Sequence, residues 1–373
     1  MSERYAPGVG LVLSGFALVA ALQPWPASGT STPEIAIAGG SASLTPIAAT
    51  LATAALAAFL ARRHGALDRV EGSLAAGVAS VAVALYSLGV VVRTVGAGDE
   101  PGVWPTIAIA AGAVAALAAL VDGLGFDADD VLDRVQLTVT GTILGVLGLL
   151  GITLWNTLLV SIAAGVVGSP NAGSRILLST VATGVGSVTV VLGYLDGTDR
   201  GLGFLDVDWP DTRDVVYGVG GFVVLLLVLL AGAELIDVLG FSSAEHGIVQ
   251  TARENDPAIL LWLILPSVLL VGPGEELLYR NVIQKSLYDS FSRTGAVLVT
   301  SALFALVHFP AYATGGLLET IGSLLLIVPL SIVLGLAFAR TENVVIPALI
   351  HGAFNAFQYA ALYVAITSGV EFI

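Results

Sequence analysis

Three short segments in the last third of the chain carry side chains that could do acid–base chemistry. The residues are Glu275, Glu276 and Arg280 in the first segment, His308 in the second, and His351 and Asn355 in the third. A carboxylate can take a proton from water, and an amide beside an imidazole can stabilise an oxyanion. Hydrolysis by activated water is therefore one interpretation. On these residues alone, a purely structural ion pair remains equally open.

The first segment begins with the Gly-Pro-Gly run at 272–274, which predicts the end of one helix and the start of another. We therefore expect both carboxylates in a first helical turn, near its partly positive N-terminus. Glu276 and Arg280 are four residues apart with the acid first, which favours an ion pair on one helix face. Glu275 points about 100° away from Glu276 and has no such partner. It is the candidate general base.

The other two segments place polar groups on otherwise apolar helices. His308 follows Phe304 by four residues, and a lone histidine of this kind is more often a packing residue than a ligand. His351 and Asn355 share a helix face, so both could donate hydrogen bonds to one oxyanion. The alternative is an interhelical hydrogen bond, which stabilises a membrane bundle by roughly 1 kcal/mol.

The composition indicates that these helices lie in lipid. Of the 373 residues, 56% are hydrophobic and 11% are charged, whereas soluble domains carry about 25% charged residues. Apolar runs of roughly 20 residues can span a bilayer. We place them near 8–23, 45–61, 74–93, 103–121, 135–168, 175–195, 215–235, 258–288, 293–309, 321–339 and 344–367, with 135–168 expected to form two helices. The predicted fold is all-α, a polytopic transmembrane helix bundle of about 10–11 spans with an intramembrane cavity in its C-terminal part.

Charge and cysteine content exclude several kinds of function. The net charge of −14 is concentrated in connections, which is typical of solvated loops in a protein from a high-salt host; a cation-binding acidic mouth is the alternative. Such a surface is not expected to bind nucleic acid. The chain has no cysteine, which excludes disulfides, thiolate metal sites and a cysteine nucleophile.

The N-terminal span permits two interpretations. Arg4 and the small residues Ala27 and Ser28 would suit a signal peptide, but the many similar spans need no separate export signal. Arg4, with Arg62 and Arg63 after the second span, favours a cytoplasmic N-terminus. The basic residues farther along the chain leave the remaining topology open.

The order of the motifs resembles that of the CAAX-processing and bacteriocin-processing (CPBP, Rce1-like) family of intramembrane glutamic proteases. The matching elements are Glu275-Glu276-x-x-x-Arg280, Phe304-x-x-x-His308, the run from Gly335 to Asn343, and His351-x-x-x-Asn355. The resemblance is clear over about residues 200–373 and does not reach the first four spans. We therefore expect an N-terminal accessory region at 1–130 and a protease core at 131–373, with the motifs in 272–357.

The resemblance implies a role for each matching residue. Glu275 corresponds to the general base, which holds and deprotonates the attacking water together with His308. His351 and Asn355 correspond to the oxyanion-stabilising pair. The supporting charges that orient the site would be Glu276 and Arg280. The implied activity is an intramembrane endopeptidase acting on a membrane-associated protein or peptide, in the cell membrane and without a cofactor.

Two alternatives remain beside this interpretation. Two histidines and a carboxylate suit a catalytic zinc, so a zinc-dependent version would use Glu275, His308 and His351 as ligands. A different class of protein, a transporter or a non-catalytic scaffold, could use the same groups to relay protons. The sequence contains neither a His-Glu-x-x-His motif nor a Gly-x-Ser-Gly motif, so site-2 zinc proteases and rhomboid proteases are poor matches. The natural substrate and the oligomeric state do not follow from the sequence.

Overall fold

The structure is a computed structural model that describes residues 5–23, 25, 34–37, 40–43, 45–96, 102–238, 243–314 and 316–369. Arg4, Ala27 and Ser28, on which the signal-peptide interpretation rests, lie outside the described residues. The chain divides into two compact units, Met1–Asp133 and Arg134–Ile373.

The first unit is a small helical bundle with one short hairpin. Its elements are α1 Tyr5–Ala21, β1 Glu34–Ile37, β2 Gly40–Ser43, α2 Thr45–Arg63, α3 Arg69–Gly96 and α4 Val103–Leu124. Helix α1 packs against α2 and α4, and α3 packs against the same two helices. Ala20, Ala48, Ala52 and Ala108 are fully buried between them. Small side chains at such contacts let helices approach closely, as the Ala-rich sequence predicts.

One buried ion pair ties three helices of this unit together. Asp122, near the end of α4, accepts hydrogen bonds from Arg62 Nε at 2.8 Å and Nη2 at 3.1 Å. Ser73 of α3 donates to the same carboxylate at 2.7 Å. The cluster lies at the ends of these spans, and the sequence analysis did not predict it.

In the second unit, all regular secondary structure among the described residues is helical. Its elements are α5 Ala128–Val167, whose first residues precede the unit boundary, α6 Ala172–Gly197, a 3-10 turn Leu202–Phe204, α7 Thr212–Val238, α8 Gly247–Glu254, α9 Ile259–Leu287, α10 Arg293–Val307, α11 Phe309–Tyr312, α12 Leu317–Thr341 and α13 Val345–Ser368. Side chains cap several of these helices. Asn171 accepts from Ser174 N at the start of α6, and Ser292 accepts from Gly295 N at the start of α10. These residue types are favoured at helix N-caps.

The expectation of two helices over 135–168 is wrong. Helix α5 is one helix of 40 residues, from Ala128 to Val167. At a rise of 1.5 Å per residue it is roughly 60 Å long, about twice the thickness of a bilayer core. The apolar run contains no signal that ends a helix before Gly168, which has a φ of 86°, and Pro170 follows. A left-handed glycine followed by proline is a common helix end.

The outward faces of both units are apolar. Among the described residues, eight helices are long and apolar enough to cross a membrane, accompanied by two shorter apolar helices, Ala6–Ala21 and Arg293–Val307. Leu154, Val166 and Trp262 are each more than 70% exposed. Contiguous exposed apolar surface of this kind is stable in lipid rather than in water. The prediction of an all-α polytopic bundle is confirmed, and the protein is a multi-pass membrane protein.

Candidate active site

Both glutamates lie on helix α9, which is continuous but changes between α-helical and π-helical geometry around them. It is π-helical at Ser267–Val271 and again at Leu277–Gln284, with the α-helical turn Gly272–Glu276 between. The predicted break at Gly-Pro-Gly is wrong, because the backbone keeps right-handed helical angles on both sides of this run. Pro273 has no amide proton to donate, and the wider π turns carry the helix past it. The carboxylates therefore lie in mid-helix, not at a helix N-terminus.

The glycines of this run allow neighbouring helices to touch the backbone of α9. A Cβ on Gly272 would lie 2.6 Å from Ala348 O and 2.9 Å from Gly352 N, both on α13. A Cβ on Gly274 would lie 2.7 Å from Gly184 O on α6. Such distances exclude any larger side chain at these positions unless the helices separate. The glycines thus bring α13 with its polar residues, and α6, directly against the glutamates.

The ion pair predicted between Glu276 and Arg280 is present. Arg280 Nε donates to Glu276 Oε2 at 2.8 Å, and both side chains are completely buried. Arg280 also donates from Nη2 to Ser331 Oγ on α12 at 2.9 Å. Burying two charges is costly unless each is paired and hydrogen-bonded, and here each has more than one polar partner.

His351 lies between the two glutamates. Its Nδ1 is 2.9 Å from Glu276 Oε1, so Glu276 uses one oxygen for His351 and the other for Arg280. Because a carboxylate only accepts, His351 donates from Nδ1. Its Nε2 is 3.8 Å from Glu275 Oε2. The imidazole thus connects the supporting carboxylate with the candidate general base.

His308 is oriented by the backbone of its own segment. It directly follows α10, and its Nδ1 lies 2.6 Å from the carbonyl oxygen of Phe304. A carbonyl oxygen can only accept, so Nδ1 carries the proton and, in the neutral ring, Nε2 has a free lone pair. The Phe304 ring packs against both histidines, with its centroid 4.4 Å from that of His308 and 5.9 Å from that of His351.

The catalytic candidates face one cavity of about 550 Å³. Glu275, His308, His351 and Asn355 all line it, whereas Glu276 and Arg280 lie behind its wall. A smaller cavity of about 190 Å³ shares His308, His351 and Asn355 with it but not Glu275. Residues from three separate segments therefore converge, which the resemblance required and helix spacing alone could not establish.

This arrangement agrees with the comparison to known protein families. Residues 257–357 match the family model of Rce1-like proteins, described as type II CAAX prenyl endopeptidase Rce1-like. This segment, about a quarter of the chain, is similar to the Rce1-like family. All six predicted site residues fall within the matched segment. Because the matched family is one of endopeptidases, the protein is a protease. No curated protein and no solved structure matches the chain.

Two of the other polar residues that line the larger cavity were not selected by the sequence analysis, Gln358 and His246. Gln358 follows His351 by seven residues and also lines the smaller cavity. Its spacing on the same face as Asn355 would have revealed it. His246, which caps the start of α8, also lines the larger cavity. It precedes the Rce1-like segment, and no spacing rule relates it to the motifs.

The donor atoms of the zinc alternative are partly engaged by the protein. Nδ1 of His308 is bound to Phe304 O, and Nδ1 of His351 to Glu276, so each ring has only Nε2 left for a metal. Within the part of the chain that the structure describes, no group of three His, Cys, Asp or Glu side chains is arranged to hold a metal ion.

Proposed function

We propose that the Rce1-like segment hydrolyses a peptide bond of a membrane-associated protein or peptide, using water activated by Glu275 and His308. The observation that carries this proposal is the convergence of Glu275, His308, His351 and Asn355 on one cavity. The substrate class follows the family description, so a prenylated CAAX peptide is the first substrate to test.

Glu275 is the proposed general base. It has no arginine partner of its own, since Arg280 is bound to Glu276. Glu275 takes a proton from water as the water oxygen attacks the carbonyl carbon, and delivers it to the leaving nitrogen as the C–N bond breaks. His308 accepts a hydrogen bond from the same water through Nε2, because its Nδ1 is bound to Phe304 O. No acyl-enzyme forms in this reaction.

His351 and Asn355 are the proposed oxyanion donors. The Asn355 amide lines both cavities, and the described residues give its side chain no hydrogen-bond partner, so its N–H groups are available to substrate. His351 can donate from Nε2 when its ring is doubly protonated, and Glu276 at Nδ1 supplies the countercharge to that form. Arg280 and Ser331 hold Glu276 in place for this task.

We assign the two parts of the chain different roles within this function. Residues 131–373 form the protease core in the proposal, and residues 1–130 an accessory region. The core contains every group used in the reaction above. We place the enzyme in the cell membrane, where a lipid-modified substrate is held at the bilayer.

Cleavage of a prenylated CAAX peptide by the purified protein in liposomes tests the proposal. We expect the wild-type protein to release the C-terminal fragment, and Glu275→Gln to release none while keeping its melting temperature. Glu254→Gln, an exposed carboxylate on α8, is the matched control and should cleave normally. Cleavage by the Glu275→Gln variant at the wild-type rate would remove Glu275 from the mechanism.

Chelation separates the two versions of the reaction. We expect a metal chelator to leave cleavage unchanged, because in this proposal the water is activated by side chains alone. Loss of activity that zinc restores would instead favour the zinc-dependent version with Glu275, His308 and His351 as ligands. Manganese and calcium added in parallel would show whether the restoration is specific to zinc.

A further inference from the structure

A third histidine reaches the larger cavity from outside the Rce1-like segment. His246 precedes α8 and lines the same cavity as Glu275 and His308. It is partly buried, and its ring packs edge-on against Tyr312, with centroids 5.0 Å apart. The mechanism above makes no use of this side chain.

The segment that carries His246 is fastened to the helices around the site. Thr314 donates to Glu245 O at 2.6 Å, and Ser323 donates to Ala244 O at 3.1 Å. The amide of Ala244 in turn donates to Glu319 O at 3.2 Å. These bonds join the residues before His246 to the connection after His308 and to the start of α12. The position of the imidazole relative to the active site is therefore fixed by the fold.

The hydrogen bonding of His246 determines which of its ring nitrogens carries the proton. The backbone N–H of Ile248 donates to His246 Nδ1 at 3.1 Å. Nδ1 must then be the unprotonated nitrogen, so the neutral ring carries its proton on Nε2. Burial, with a contribution from the nearby His308, lowers the pKa of His246 to about 4. The ring is thus a neutral hydrogen-bond donor near neutral pH.

Several other polar groups on this wall cannot donate to a substrate. The hydroxyls of Thr180 and Thr183 donate to backbone carbonyls of their own helix at 2.9 and 3.0 Å. Thr314 is similarly committed to Glu245 O. Besides His351 and Asn355, already assigned to the oxyanion, His246 therefore adds a hydrogen-bond donor to a cavity with acceptors at Glu275 and His308.

We propose that the Nε2–H of His246 binds a carbonyl or carboxylate oxygen of the substrate in the larger cavity. A peptide bound with its scissile bond at Glu275 presents such oxygens along its main chain and at its C-terminus, and a hydrogen-bond donor recognises either. This inference rests on the proposed function for the identity of the ligand as a peptide. His246 is a substrate-binding residue in this assignment and takes no part in the proton transfers.

Binding to an inactive background tests this without cleavage. In Glu275→Gln protein, the dissociation constant of a labelled prenylated CAAX peptide is measured alone and with His246→Asn or His246→Gln. Asparagine preserves the cap on α8 but its amide reaches only the Nδ1 position, whereas glutamine can place an N–H near the Nε2 position. We expect His246→Asn to weaken binding about tenfold, the loss of one good hydrogen bond, and His246→Gln to restore it. His64→Gln, an exposed histidine of the first unit, is the control that should change nothing.

A second peptide, amidated at its C-terminus, distinguishes the two kinds of oxygen. If His246 binds the carboxylate, amidation weakens binding to the Glu275→Gln protein and adds little in the His246→Asn background. If it binds a main-chain carbonyl, His246→Asn weakens both peptides equally. Equal losses in the asparagine and glutamine variants, or no loss in either, would overturn the assignment. If binding depends on His246 but the wild-type protein cleaves no peptide, the proposed function is overturned and this inference still stands.

Discussion

His351 donates its Nδ1–H to Glu276 Oε1 at 2.9 Å, across the contact between α13 and α9. The same carboxylate accepts from Arg280 through its other oxygen. Glu276 is therefore the junction between the histidine at the cavity wall and the buried cation behind it. Its loss should affect both the fold and the chemistry.

The first prediction concerns this junction. Glu276→Gln leaves Arg280 buried with no anion, which should lower the free energy of unfolding by roughly 3–5 kcal/mol. Glu245→Gln removes the exposed pair with Arg253 and should cost less than about 1 kcal/mol. Thermal unfolding of both variants in detergent measures the contrast. Similar melting temperatures for the two variants would show that the buried pair stabilises the fold no more than the exposed pair does.

The second prediction concerns the backbone contact that brings α13 to the glutamates. Gly272→Ala puts a Cβ within 2.6 Å of Ala348 O, so the helices must separate. We expect a destabilisation of roughly 1–3 kcal/mol and a loss of cleavage. Gly193→Ala on α6 meets nothing within 4 Å and should be neutral or slightly stabilising. Melting curves and cleavage assays on the pair test this, and wild-type behaviour of Gly272→Ala would refute the close contact.

The third prediction separates transition-state stabilisation from substrate binding. Asn355→Ala should lower kcat roughly 100-fold to 1000-fold, as expected for one oxyanion donor. KM and the melting temperature should change little, because the described residues give this amide no partner in the fold. Gln250→Ala, an exposed amide on α8, serves as the control. A rise in KM at unchanged kcat would instead make Asn355 a ground-state binding group.

The fourth prediction concerns acid sensitivity through His246. Its pKa is lowered from 6.5 to about 4 in the folded protein, so between these values the unfolded chain binds more protons. The free energy of unfolding is therefore at its full value above pH 6.5 and decreases as the pH falls toward 4. By pH 5 the loss should be about 1–2 kcal/mol, and His246→Gln should be free of it.

Melting temperatures at pH 7.5 and pH 5 for both proteins measure this difference. His308, which lies close enough to lower the pKa of His246, and Tyr312, which packs on its ring, are unchanged in the variant. Their own responses to pH are therefore common to both proteins. Parallel losses in the wild-type protein and the variant would mean that His246 is not the sensitive group.

Sequence reasoning succeeded where a local pattern determined the outcome. Apolar runs predicted the helices, and the four-residue spacing of Glu276 and Arg280 predicted an ion pair that is present. It failed where packing overrides a local signal. Gly-Pro-Gly usually ends a helix, but here π turns accommodate the proline and the glycines make room for α6 and α13.

The candidate site shows the same limit. Spacing along one helix could relate His351 to Asn355, and would have related it to Gln358 as well. It could not relate either to His308, whose approach depends on how α10 and α13 pack around Phe304. No sequence pattern could have identified His246. Its connection enters the cavity wall only because Thr314 and Ser323 hold it there.

The π turns on both sides of Glu275 make the length of this stretch as important as its composition. A π turn holds one more residue between hydrogen-bonded groups than an α turn does, so helical-wheel counting misplaces side chains there. Deleting a single residue between Leu277 and Gln284 would allow ordinary winding to return and would rotate everything beyond it. Lys285 would then leave Asp206, and the helix would lose its anchor on the loop that precedes α7. Homologous proteins should therefore tolerate substitutions in this stretch far more readily than insertions or deletions.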